Sequence, residues 1–98
     1  MDEKSDALKM MVLLSPDGTV LSARGGSDAE DFAAAAAYAT QLSQLVGEDL
    51  GLEGFRELDC EFKKGRCLIY YDENGNTVGV RPRIEIPMTK VREILGFT

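Results

Sequence analysis

The spacing of apolar residues changes several times along the chain, and each change marks an element. Residues 7–14, ALKMMVLL, are almost continuously apolar. They end at Ser15-Pro16-Asp17-Gly18, where proline and glycine each set a backbone angle. This pattern predicts a strand covered on both faces. Residues 19–24, TVLSAR, alternate and predict the returning strand of a hairpin. Gly25-Gly26 then lets the chain turn into a helix.

That helix, within Ser27 to Leu52, is the longest predicted element. Ser27 and Glu30 have capping-box spacing, and Asp28, Glu30 and Asp31 complement the helix dipole. Ala33 to Ala37 are ideal helix formers. Gly51 is the expected C′ residue, followed by apolar Leu52. The span is about 23 residues, or roughly 34 Å. It carries two apolar stripes. Phe32, Ala36, Ala39, Val46 and Leu50 form one, and Tyr38, Leu42 and Leu45 form its neighbour. Thr40, Gln41, Gln44, Glu48 and Asp49 are read as the polar side. A sheet face needs a stripe of only about 100°. One side is therefore expected on the sheet, and part of the rest against a second molecule.

Residues 55–63, FRELDCEFK, alternate again, with Glu57, Asp59 and Glu61 facing away from Leu58, Cys60 and Phe62. A turn at Lys64-Gly65 would pair Phe62 with Cys67, Cys60 with Ile69 and Leu58 with Tyr71. Arg66 to Tyr71 is apolar on both faces and should be central. Asn74-Gly75 is a type I′ signal that would set Val78 and Val80 opposite Tyr71 and Ile69, on that same face. Pro82 should end the strand or mark an unpaired edge position, and Pro87 suits the first turn of a helix. Met88, Val91, Ile94 and Leu95 give that helix one apolar stripe. The order β-β-α-β-β-β-α predicts an α+β fold. It is one antiparallel five-strand sheet, with the long helix on one face and the short C-terminal helix on the other. Residues 1–98 read as one domain, with 1–6 frayed.

Charge and composition narrow the function classes. The net charge is −6, all of it from residues 1–49, which hold three bases and nine acids against eight of each in residues 50–98. Such a chain is not expected to bind nucleic acid or an anionic membrane nonspecifically. Arg81, Arg83, Lys90 and Arg92 read as a solvated face. No apolar run approaches 18 residues, so no membrane insertion is expected. The start, MDEKSDALK, lacks the basic and apolar regions of a signal peptide, so a cytoplasmic location is expected.

Candidate chemistry is sparse. With no histidine in the chain, Ser-His and Cys-His pairs are excluded. Cys60 and Cys67 cannot complete a zinc site. In the expected register they lie diagonally, roughly 7–8 Å apart between Cα atoms, too far for an unstrained disulfide. They read as two small buried apolar residues. Gly25-Gly26-Ser27 precedes a helix, but Asp28, Glu30 and Asp31 would repel a phosphate. Asp72 to Asn76 is too short for an EF-hand loop. Glu57, Asp59 and Glu61 read as an exposed strand face rather than a glycosidase pair. The expectation is no enzyme, no cofactor and no metal.

The order and spacing of these soft motifs carry a resemblance. VLLSPDGTVLSARGG, the Ala-rich helix and EFKKGRCLIYY resemble the roadblock / dynein-light-chain family over about residues 8 to 95. The resemblance implies an antiparallel five-strand sheet between helices. It also implies a homodimer in which the strand after the long helix joins its copy and the long helices pack side by side. Phe32, Ala36, Tyr38, Ala39, Leu42, Leu58 and Cys60 are the residues expected at that interface. The implied role is a noncatalytic adaptor that binds a small Ras-like GTPase or another roadblock-type protein, or scaffolds a motility, trafficking or signalling complex. The alternative is a small-molecule-sensing module of related architecture. Two departures stand out. The family usually has a helix before the first strand, for which Met1–Asp6 is short, and residues 81–87, RPRIEIP, form an unusual connection that extends the last strand or makes a separate loop.

Overall fold

The computed structural model describes residues 7–96. Its elements are β1 (Leu8–Leu14), β2 (Val20–Arg24), α1 (Ala29–Asp49), β3 (Glu57–Phe62), β4 (Gly65–Tyr71), β5 (Thr77–Pro82) and α2 (Met88–Ile94). The five strands form one antiparallel sheet in the order β2-β1-β5-β4-β3. β2 and β3 are its edges. Met10, Val12, Leu14 and Ile69 pack on α1 from one face. Leu8, Leu68, Val78 and Val80 pack with Val91 of α2 on the other. This is the expected α+β arrangement and strand order. The frayed start at 1–6, and the expected lack of a helix there, lie outside the described residues.

Only part of one expected stripe of α1, Phe32, Ala36 and Ala39, lies at its contact with the sheet. The buried positions of α1 are Ala29, Ala33, Ala36, Thr40 and Gly47. Phe32 and Ala39 flank this contact, whereas Val46 and Leu50 are exposed. Thr40, expected on the polar side, is buried, and its hydroxyl donates to the Ala36 carbonyl at 2.9 Å. The cause lies on β5. A Cβ on Gly79 would stand 3.3 Å from the Phe32 ring and 3.4 Å from Ala36 Cβ. The helix sits so close to the sheet that only small side chains fit between them.

The helix ends are informative too. The Ser27–Glu30 capping box does not form. Asp28 is the N-cap, with no side-chain cap bond. The preceding turn, closed by Ala29 N–H donating to the Gly26 carbonyl, starts the helix one residue late. The C-terminus matches expectation. Gly51 has φ +69°, its N–H donates to the Glu48 carbonyl, and Leu52 N–H donates to the Gly47 carbonyl. This is the paired-bond stop that a left-handed glycine permits.

Two turns set registers that differ from expectation. At the β3–β4 hairpin the loop is Lys63-Lys64, because Phe62 pairs with Gly65. Both lysines keep negative φ, so the turn needs no glycine. Cys60 therefore faces Cys67 directly and Leu58 faces Ile69. A slip of two residues leaves every side chain on its expected face. At the β4–β5 hairpin the loop is Glu73-Asn74-Gly75, one residue longer than expected. Gly75 N–H donates to the Asp72 carbonyl, Asp72 N–H donates to the Asn76 carbonyl, and Gly75 has φ +80°. Asp72 Oδ1 also accepts from the Asn74 and Asn76 amides at 2.8 and 2.9 Å. Val78 then pairs with Tyr70 and Val80 with Leu68. This slip of one turns Val78 and Val80 to the α2 face and gives Gly79 the α1 face.

Two further contacts hold β3 in place. Phe55 meets Tyr71 edge to face, with centroids 5.3 Å apart. Gln44 bridges them to α1: its Nε2 donates to Tyr71 Oη at 2.9 Å and its Oε1 accepts from the Phe55 amide at 3.2 Å. On the other face Arg92 of α2 donates to both Glu57 carboxylate oxygens, at 2.9 and 3.1 Å, and to Asp59 at 3.3 Å. Pro87 is the N-cap of α2 rather than part of its first turn. Residues 81–87 divide between the two expected alternatives. β5 runs through Pro82, and a turn follows, with Ile86 N–H donating to the Arg83 carbonyl.

Two predictions follow from this packing. Gly79→Val should cost about 1–3 kcal/mol by overfilling the gap under α1, read as a lower urea midpoint with unchanged slope. Arg92 holds the Glu57 carboxyl below its ordinary value of 4.5. A carboxyl depressed in the folded state stabilises the fold above its unfolded pKa and loses that effect as pH falls through the folded value. In urea titrations, Arg92→Gln should therefore lower the midpoint at neutral pH, and the deficit should shrink as pH falls below 4.5.

Candidate functional interface

The close seat of α1 leaves several of its larger apolar residues exposed. Tyr38, Leu42, Leu45 and Val46 lie on the side away from the sheet and are exposed, Tyr38 to 64%. Leu50 and Leu52 continue the exposed apolar surface past the helix end. Large apolar side chains grouped in this way mark an interaction surface. Among the described residues no helix is long and apolar enough to cross a membrane.

Beside this stripe a groove of about 560 Å³ runs between α1 and the β3–β4 hairpin. Phe32, Ala36 and Ala39 reach it from the helix, and Leu58 and Cys60 from β3. Five of the seven residues expected at an interface are thus brought together here. The other two, Tyr38 and Leu42, lie on the outer side of α1. Ala36 has no exposed surface and belongs to the chain's own core. Phe62, left out of the expected set, is 64% exposed at the end of the groove. Its alternation with Leu58 and Cys60 was the available signal. Leu45 and Val46 were likewise visible as apolar positions but were not singled out. Asp28, Asp31, Lys64 and Arg81 also line the groove, so its wall carries both charge signs.

β3 presents its outer edge beside the groove. Exposed charge usually discourages strand addition at such an edge. Here Glu57 and Asp59 are held by Arg92. Two of the three acids on this face are therefore paired within the chain.

The cysteines face each other across the β3–β4 ladder. Both are free thiols. Burial, with the neighbouring Cys60 adding to it, pushes the Cys67 thiol up to about 11. The expected diagonal spacing is replaced by direct opposition, and the two residues expected to be buried are half-buried instead. A second cleft, about 640 Å³, lies at the far end of α1 between Ser15–Gly18 and Gln41, Gln44 and Tyr71. Asp17 beside it accepts from the Ser15 hydroxyl and from the Thr19 amide at 3.0 Å, which lowers its carboxyl to about 2.

At pH 8, Cys67 should alkylate roughly a hundredfold more slowly than an ordinary thiol, because so little of it is thiolate. Mass-spectrometric timing of iodoacetamide labelling, with the urea-unfolded chain as reference, measures this directly.

Comparison with known proteins supplies the family. The Roadblock/LC7 domain model matches residues 3–80. The crystal structure of a Roadblock/LC7 domain from Streptomyces avermitilis is similar, at 24% identity and a TM-score of 0.75, covering 87% of this chain and 73% of that one. Myxococcus xanthus MglB is similar at 16% identity and a TM-score of 0.80, covering 96% of this chain and 80% of that one. Among curated protein sequences nothing matches. At these identities the structural likeness speaks for the fold alone.

Proposed function

This chain belongs to the Roadblock/LC7 domain family, and from that premise we propose that it is a noncatalytic, homodimeric adaptor that binds a small Ras-like GTPase. One observation carries the reading: the outward apolar stripe of α1 adjoins the groove beside the unpaired β3 edge. Two copies related by a two-fold axis could pair their β3 edges and pack their α1 stripes together, extending the sheet and covering both apolar surfaces at once. The pairing of Glu57 and Asp59 with Arg92 favours such an arrangement, because it reduces the like charge facing across the seam. Phe32, Ala39, Leu58 and Cys60 would line the contact, with Tyr38 and Leu42 on the helix–helix side.

The GTPase reading rests on the family. A dimer of this shape offers a continuous sheet and helix surface on which a GTPase could be held and its switch segments biased. The adaptor acts by position rather than by chemistry, in the cytoplasm, and could equally scaffold through a second roadblock-type chain.

Tyr38→Asp should weaken self-association by about tenfold or more, since a charge would have to lose its water at the centre of the contact. Sedimentation across a dilution series reads this. A wild-type chain that is monomeric at micromolar concentration would overturn the homodimer. Affinity capture from source-cell lysate, with and without a non-hydrolysable GTP analogue, tests the partner. The expected result is a Ras-like GTPase whose recovery changes with nucleotide. Absence of any GTPase in both conditions would sink that part of the proposal.

A further inference from the structure

The chain is acidic overall, yet five of its eleven bases converge on one place. Lys9 of β1, Arg81 of β5, Arg66 of β4, Lys64 and Arg83 line a pocket of about 500 Å³ at one end of the sheet. Among the described residues, Glu85 is its single carboxylate. No run of sequence announces this cluster. Antiparallel pairing brings it together from residues 9, 64–66 and 81–83. The expectation of a solvated face for Arg81 and Arg83 is replaced by a concave one.

Three features make the pocket more than a scatter of charge. Among the described residues, Lys9, Lys64, Arg66 and Arg81 have no ion-pair partner. Arg66 is held in place, because its Nη2 donates to the Arg83 carbonyl at 2.7 Å. Its Nε is covered and has no hydrogen-bond partner. Covered donors are nearly always satisfied in folded chains. A guanidinium anchored at one terminal nitrogen on a pocket wall is suited to a planar or tetrahedral oxyanion. Gly65 keeps the wall open, since a Cβ there would stand 3.4 Å from Arg81 Nη2.

We propose that this pocket binds a small, soluble, phosphate-bearing compound. Several cationic groups around one concavity favour a multiply charged anion over a single carboxylate. The acidity of the rest of the chain repels extended polyanions and anionic bilayers, whereas a small phosphate compound can enter the pocket alone. The proposal does not depend on the adaptor reading.

The test is a titration of the ¹⁵N-labelled full chain with sodium pyrophosphate at low salt, followed by NMR. The expected result is saturable shifts at the Gly65, Arg66, Arg81 and Ile84 amides and at Arg66 Nε–H. Arg81→Gln should weaken binding about tenfold, the loss of one charge-assisted hydrogen bond. Lys64→Gln, at an exposed turn position that tolerates substitution, should also weaken it. Lys63→Gln, in the same turn but off the pocket wall, should leave it unchanged. The same spectra report whether each variant is folded. The proposal is overturned by shifts that never saturate, by shifts spread evenly over all the bases, or by equal loss in Lys63→Gln. Tighter binding of a hexaglutamate peptide than of pyrophosphate would also overturn it, in favour of an acidic protein segment.

Discussion

The structure depends on how closely α1 approaches the middle of the sheet. Gly79 occupies the point of contact, and Ala29, Ala33 and Ala36 line the facing side of the helix. Small-on-small packing stabilises by many short contacts rather than by large buried side chains. It uses up only the small residues of a 21-residue helix. The tyrosine, leucines and valine are displaced to the far side. The surface assigned to a partner is thus the geometric counterpart of the core: the same rotation of α1 that buries Ala33 exposes Tyr38.

β3 has a similar double character. Phe55 and Gln44 anchor it to the α1 side, and Arg92 ties it to α2. An edge strand fastened from both layers is ordered while keeping its outer backbone groups open. This combination suits addition of another strand, because little conformational entropy is lost when it pairs. The bases at the neighbouring hairpin belong to the groove and to the basic pocket alike, since Lys64, Arg66 and Arg81 line both.

Much of the architecture was legible because it is written in local signals. Pro16 and Gly18 mark the first hairpin, Gly51-Leu52 the helix stop, and the alternation of Leu58, Cys60 and Phe62 an edge strand. What escaped depended on counting residues through turns. Asn74-Gly75 carries the signature of a two-residue loop, but the Asp72 carboxylate captures the amides of Asn74 and Asn76 and widens it to three. With Val78 and Val80 assigned to the wrong face, the small-residue contact at Gly79 could not be seen, and which apolar stripe of the helix meets the sheet stayed open. The interface set was partly legible because large apolar residues beyond one stripe signal a second partner wherever the first stripe lies. The basic pocket was not, since its members are scattered in sequence and adjoin only through the strand order.

The Asp72–Asn76 loop bears on which changes of length this chain can accept. Surface loops are ordinarily where insertions and deletions do least harm. Here the loop acts as a ruler. Removing one residue would point Val78 and Val80 at the alanine side of α1, where there is no room, and aim Gly79 at α2, where nothing would fill the space. Adding or removing two would restore every inward and outward choice. Drift in the length of this loop should therefore proceed in even steps, a parity constraint on an exposed segment whose own side chains touch neither core.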